Sequence, residues 1–304
     1  MVTLPTNWNS IIKPCSCMPD IHSIPMMAPS LSKIHRSILQ RISRPLNEAD
    51  LARSAIIFSP HQDDETLACG GTIALKRKLG AGVRIAWLTE GSRSHSRYIS
   101  RSELKEIRAQ EAIAASEVLG VDRSELFFLE FEDSRLHKYK DTAANKVLDL
   151  LKAYRPGEVF IPYAKEAPSD HRATNQIVRM ALQQYQSEIV VNEYPVWFWG
   201  HWPWVSYRYM KEYEPKFIRV SLRNALGFQL LKDFRISVQI ESVLPRKLQA
   251  LERYKTQMTR YLSETNWPIL SDISRGEFLA CFFQNTEVFH RYNFLPVRST
   301  SLSF

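Results

Sequence analysis

The stretch Ser54-Ala55-Ile56-Ile57-Phe58-Ser59-Pro60-His61-Gln62-Asp63-Asp64-Glu65 decides how the rest of the chain is read. Ile56, Ile57 and Phe58 form a short apolar run, the pattern of a strand covered on both faces. Pro60 ends it, because proline has no N–H to give a sheet ladder. His61, Asp63, Asp64 and Glu65 follow at once, and all four can hold a metal or move a proton. From Thr66 onward Leu67, Ile73, Ala74 and Leu75 mark a helical apolar face that stops at Gly80. The four polar residues therefore fall between the C-terminal end of a strand and the first turn of a helix, where open α/β sheets keep their chemistry.

His61 and Asp64 are three residues apart, so on a first helical turn they share one side and can share one ion. Asp63 lies between them and can point at a water on that ion. The helix N-terminus favours negative charge and keeps both carboxylates ionised. Asp-Asp-Glu is also ordinary chemistry for opening a helix, so this stretch does not decide function by itself. A second crossing supplies the missing support. Residues 158–163 read as another buried strand, and Ser169-Asp170-His171-Arg172-Ala173-Thr174 leads into a helix carrying Ile177, Val178, Met180, Ala181 and Leu182. Two histidines and one aspartate leave a position open for water, as catalytic rather than structural zinc sites do.

Working outward, strands are expected over 54–59, 83–88, 126–131, 158–163 and 188–193. Helices are expected over 66–79, 102–119, 141–153 and 171–186. Strict alternation with short loops implies parallel strands and right-handed crossovers. The fold class is α/β: a Rossmann-like, mostly parallel sheet flanked by helices. After residue 194 the pattern changes to an aromatic-rich portion, Tyr194-Pro195-Val196-Trp197-Phe198-Trp199-Gly200-His201-Trp202-Pro203-Trp204, which adds strands near 216–221 and 234–241 and a helix over 245–262. Residues 1–50 carry six prolines and read as an irregular N-terminal arm with one helical stretch near 31–42. Residues 51–304 read as a single domain, with a core over 51–193 and a C-terminal cap portion over 194–304.

The chain has 304 residues, 44% of them hydrophobic, enough to bury a full core. A net charge of +8 suits an anionic or phosphate-bearing substrate, a membrane surface or nucleic acid. No lysine and arginine block has the density of a nucleic-acid arm, so a nucleic-acid partner is not expected, and no apolar run is long enough to span a bilayer. The first thirty residues lack the apolar segment of a signal peptide, and the four cysteines, Cys15, Cys17, Cys69 and Cys281, form no metal knuckle. The expectation is a cytoplasmic, reduced protein.

Pro60-His61-Gln62-Asp63-Asp64-Glu65 together with Asp170-His171-Arg172-Ala173-Thr174 resembles the LmbE-like (PIG-L) family of zinc-dependent de-N-acetylases, over roughly residues 51–260. The resemblance implies hydrolysis of an N-acetyl amide on a small amino-sugar conjugate, which could be anionic or lipid-linked. It implies Zn2+, or another divalent ion such as Fe2+, on His61, Asp64 and His171, with Asp63 as the base that activates water. In the same family Ile107-Arg108-Ala109-Gln110-Glu111 corresponds to an Arg-x-x-Glu whose arginine, here Arg108, binds substrate, and Asp133 corresponds to an aspartate that contacts the sugar. Two departures stand out. The second motif usually reads His-Pro-Asp-His, but here it is Pro168-Ser169-Asp170-His171, so the histidine that assists the oxyanion or the leaving amine is absent and Asp170, in the second shell, lacks its usual partner. Tyr254 stands where the late helix of the family carries a histidine. His201, among the aromatic residues beside the expected cleft, is the candidate to deliver a proton in place of the missing histidine. Rival readings are an amidase on a sugar conjugate, a non-catalytic sugar-binding descendant, and a two-His-one-carboxylate iron oxygenase, which the strand–helix alternation disfavours.

Overall fold

The computed structural model describes residues 31–205, 222 and 228–296. Eight strands make one sheet in the order β1-β7-β8-β6-β5-β2-β3-β4. They are β1 (Arg44–Pro45), β2 (Ala55–Ser59), β3 (Val83–Thr89), β4 (Leu126–Phe131), β5 (Glu158–Pro162), β6 (Ile189–Tyr194), β7 (Ile236–Gln239) and β8 (Thr286–Phe294). Strands β4, β3, β2, β5 and β6 pair in parallel, while β8 runs antiparallel to both of its neighbours. This is the mixed α/β fold expected from the alternation.

The two faces of β2 explain why its sequence is so uniformly apolar. Ala55 and Ile57 pack into one core with Leu67, Ile73 and Trp87, whereas Ile56 and Phe58 pack into the other with Val147, Ile161 and Ile177. The helices on those faces include α1 (Leu31–Ile42), α2 (Glu48–Leu51), α3 (Asp64–Lys78), α4 (Arg101–Leu119), α5 (Lys140–Tyr154) and α6 (Ser169–Tyr185). The chain reverses its winding between β2 and β5, which are adjacent although β3 and β4 separate them in sequence. A crevice opens at such a switch point, beyond the carboxyl ends of the strands.

The opposite end of the sheet is locked by charge. Lys76, fully buried, pairs with Glu158 and donates to the carbonyls of Asp50, Leu51 and Arg53. Arg291 bridges Glu158 at 2.7 Å and Asp50 at 3.0 Å. The ion pairs tie the start of β5 to α2, α3 and β8, so this end reads as stability rather than chemistry.

Two expectations change in the C-terminal portion. The helix expected over 245–262 is two short helices, Leu244–Leu251 and Lys255–Met258. Tyr254 breaks it: its ring is fully buried and its hydroxyl donates to Glu65, while the backbone N–H of Thr256 is drawn to Glu111. Strand β8 was not anticipated, and the strand expected at 216–221 lies outside the described residues. Strand β7 occupies the middle of the expected 234–241 segment.

Candidate metal centre and active-site cavity

The turn after β2 is pinned from β3. Thr89 donates both its backbone N–H and its hydroxyl to the carbonyl of Pro60, and Ser59 Oγ donates to that of His61. His61 and Asp64 face each other because the chain turns sharply at Asp63, with φ 128°, before α3 begins at Asp64. That is a correction to the helical-turn argument: the pair meets across a strained turn rather than along a helix. A non-glycine residue held there has been forced into place by its surroundings, a feature concentrated at functional sites.

Asp64 Oδ2 lies 3.2 Å from His61 Nδ1 and 3.2 Å from His171 Nε2, which arrives at the start of α6. Donor atoms of the three residues all fall within 4.8 Å of one another. A four-coordinate zinc with ligand bonds near 2.0–2.2 Å has donor–donor edges of roughly 3.3–3.6 Å, so this spacing fits a small divalent ion. His171 gives an independent sign. It is fully buried, yet neither of its ring nitrogens makes a hydrogen bond, an arrangement that costs free energy unless something else binds there. Burial alone would raise the Asp64 carboxyl, but His171 and His61 beside it hold it well below the usual range. The residues present therefore fit a divalent ion on two imidazoles and one carboxylate.

Asp63 is buried and sits beside the same point. Burial pushes its carboxyl well above the ordinary carboxylate range, with Asp64 and Glu65 adding to the rise and Arg108 opposing it. Arg108 Nη2 is 3.4 Å from Asp63 Oδ1 and also donates to the carbonyl of Gln62, while Nη1 donates to that of Gly91 at 3.1 Å. Gly91 has φ +65°, and a Cβ there would meet Gln62 Oε1 at 2.2 Å and Arg108 Nη1 at 3.1 Å. The arginine thus grips the whole Gln62–Asp63 turn, a tighter engagement than the substrate contact implied by resemblance.

A cavity of about 300 Å³ opens over these groups. His61, Asp63, Asp64, Arg108 and Asp133 line it on the sheet side. Trp197, stacked on Phe278 at 5.2 Å, and Gln257 line the other wall. Pro168 also faces the cavity, so the position of the missing histidine is at the site but offers no polar side chain. Asp170 accepts from the backbone N–H of Ser134 and of Leu136.

His201 is not brought to this cavity. It is buried, edge-on to Phe198 at 5.6 Å, and burial pushes its imidazole down to about 4. Two other carboxylates are placed nearer: Glu166, which the sequence reading passed over, and Glu65, which it named only among four residues able to hold a metal or move a proton. Glu166 is buried 3.7 Å from His171 Nδ1 and accepts from the N–H groups of Val196, Trp197 and Phe198. Glu65 accepts from Trp87, Tyr254 and Thr66 beneath Asp63, so Tyr254 supports the floor in place of a histidine. No periodicity or motif announces Glu166; only its place on the loop between β5 and α6 could have suggested it.

Comparison with known proteins bears on this geometry. The family model for GlcNAc-PI de-N-acetylase (PIG-L) matches residues 56–182, which include both motifs. Residues 56–182 thus match the PIG-L pattern. Among relatives, a Bacillus cereus protein named "Probable N-acetyl-alpha-D-glucosaminyl L-malate deacetylase 2" is 28% identical over 144 residues, covering 45% of this chain and 64% of that one. A 4-oxalmesaconate hydratase of Pseudomonas putida is also 28% identical, over 165 residues, covering 50% of this chain and 62% of that one. The chain thus spans under two thirds of the length of either relative. The N,N'-diacetylchitobiose deacetylase of Pyrococcus horikoshii superposes with a TM-score of 0.56 at 19% identity, covering 86% of this chain and 91% of the other, a likeness of fold. Across the PIG-L match lie His61, Asp63, Asp64, Arg108, Asp133, Asp170 and His171. Among the described residues no helix is long and apolar enough to cross a membrane.

Proposed function

We propose that this chain is a metal-dependent hydrolase that removes an N-acetyl group from an amino-sugar conjugate. The observation that carries the reading is a His61–Asp64–His171 donor set at ion-binding spacing, two of whose members, His61 and Asp64, line one cavity together with the buried carboxylate of Asp63. The family match and the deacetylases among the relatives support it. Bound on those three residues, a zinc-class ion supplies Lewis acidity, polarising the amide carbonyl and lowering the pKa of water.

The chain's own residues do the rest. Asp63 Oδ1 faces Arg108, which leaves Oδ2 to take the proton of the attacking water. Raised by burial, that carboxyl holds the proton well, and with Pro168 in place of a histidine Asp63 returns it to the leaving amine. Asp133 on one side and the apolar face of Trp197 on the other suit a sugar ring, polar at its edge and apolar on its face. His201 takes no part in this scheme.

The test is release of primary amine by zinc-loaded protein from a panel of N-acetylglucosamine glycosides and phosphoconjugates. The equal identity to a named hydratase motivates a parallel screen for hydration of unsaturated dicarboxylates. Amine release abolished by Asp63→Asn supports the proposal. Hydration without amine release, at full zinc loading, overturns it.

A further inference from the structure

We propose that Asp133 and Asp170 are positioning residues that together hold Nε2–H of His61, turning its Nδ1 lone pair toward the metal site. This rests on the reading of His61, Asp64 and His171 as metal ligands.

The His61 ring is flanked by carboxylates on both nitrogens. Nδ1 faces Asp64 Oδ2 at 3.2 Å, while Nε2 lies 3.4 Å from Asp170 Oδ2 and 3.5 Å from Asp133 Oδ1. A neutral imidazole carries one donor and one acceptor nitrogen, and which is which follows from its partners. Asp64 Oδ2, at Nδ1, is shared with His171 Nε2 as part of the donor set, whereas Asp133 and Asp170 at Nε2 face no second ligand, so the ring hydrogen belongs at Nε2. The lone pair is then on Nδ1, on the side shared with Asp64 and His171.

The two carboxylates are themselves fixed by backbone donors. Asp170 accepts from Ser134 N at 2.6 Å and Leu136 N at 3.3 Å; Asp133 accepts from Arg93 N at 2.9 Å and Ser134 Oγ at 3.0 Å. Both side chains are at least nine-tenths buried. Asp170 also precedes His171 on α6, so the helix that delivers one ligand braces the other. With proline at 168, Asp170 has no imidazole two residues before it, and its carboxylate faces His61 instead. Carboxylates behind ligand histidines typically set metal affinity by about 10–100-fold.

The experiment is a zinc competition titration of the full chain against a chromophoric chelator, together with ring 15N shifts of His61 in the zinc-loaded protein. The parent is expected to bind one zinc with Nδ1 of His61 ligated and Nε2 protonated. Asp170→Asn and Asp133→Asn should each weaken zinc, and the double variant by roughly 10–100-fold, with melting temperature reporting that the fold is kept. A carboxylate that only caps the 133–136 turn would move the melting temperature and leave zinc affinity alone. Should Asp170→Asn fail to fold, Asp133→Asn and the parent's 15N shifts still decide. Zinc affinity within twofold of the parent in every folded variant, ligation through Nε2, or a second zinc lost with these carboxylates overturns the inference. A parent that binds no zinc overturns the ligand reading beneath it, a result distinguishable from all three.

Discussion

Glu111, the acidic partner of the Arg108 motif, is a residue whose charged form the fold opposes. Its two oxygens accept from Thr256 N at 2.7 Å and Thr256 Oγ1 at 2.6 Å, which places the neighbouring Gln257 in the cavity wall. Burial pushes its carboxyl from 4.5 up to about 7, against the pull of the Thr256 hydrogen bonds and of Arg108. Between those two values the folded protein keeps a proton that the unfolded chain has released. Stability is therefore fully present below pH 4.5, declines as pH rises through about 7, and is flat above. At 1.36 kcal/mol per pH unit the interval is worth about 3 kcal/mol. Glu111→Gln removes the titration while keeping an acceptor for Thr256 N. The variant should match the parent within about 1 kcal/mol at pH 5 and exceed it by about 2–3 kcal/mol at pH 8, which for a chain of this size is roughly 3–5 °C in Tm. Calorimetry of both proteins from pH 5 to 8 measures the difference and cancels titrations elsewhere. A difference that does not change with pH, or a parent that gains on the variant as pH rises, would refute the argument that burial outweighs the Thr256 hydrogen bonds.

The remaining expectations concern the site itself. Arg108→Met should lower kcat as well as raise KM, and should move the acid limb of kcat/KM to higher pH, because the cation 3.4 Å from Asp63 is what opposes burial there; an effect on KM alone would return Arg108 to a simple substrate contact. His171→Ala should strip the metal, whereas Asp63→Asn should keep it and lose activity, with elemental analysis separating the two roles. Gly91→Ala, whose Cβ would collide with Gln62 Oε1, should cost activity by about tenfold or more through displacement of the Gln62–Asp63 turn; full activity would mean the turn yields freely. His201→Ala should retain kcat near the parent value, and a loss on the 10²–10³ scale of a missing transition-state donor would bring His201 back into the chemistry.

How far the chain could be read depended on whether a residue's partners were local. Strand β2 and helix α6 announce themselves because their apolar residues fill both cores in a simple period, and the alternation between them leaves little choice of topology. His61 and His171 are legible for the same reason, each lying at or just before the start of the helix that follows a buried strand. Strand β8 was not, because its period is interrupted by charges whose partners lie far away in sequence: Glu287 reaches Lys247, and Arg291 reaches Glu158 and Asp50. The late helix was overdrawn for a related reason, since Tyr254 and Thr256 leave the helical path to satisfy Glu65 and Glu111. The same logic separates the candidate ligands from what stands behind them. Candidate ligands sit in motifs because strand ends and helix starts fix them, and Asp133 and Asp170 are reached through the family resemblance, whereas Glu166 is seen only once its loop is folded. His201 is the converse case. Its neighbours in sequence single it out, yet it is buried edge-on to Phe198 and is not among the residues that line the cavity. A proton donor for the leaving amine must then come from the cavity lining, where among the described residues His61 is the only imidazole and is committed on both nitrogens. On the hydrolysis proposed here, that leaves Asp63 to carry the proton both ways.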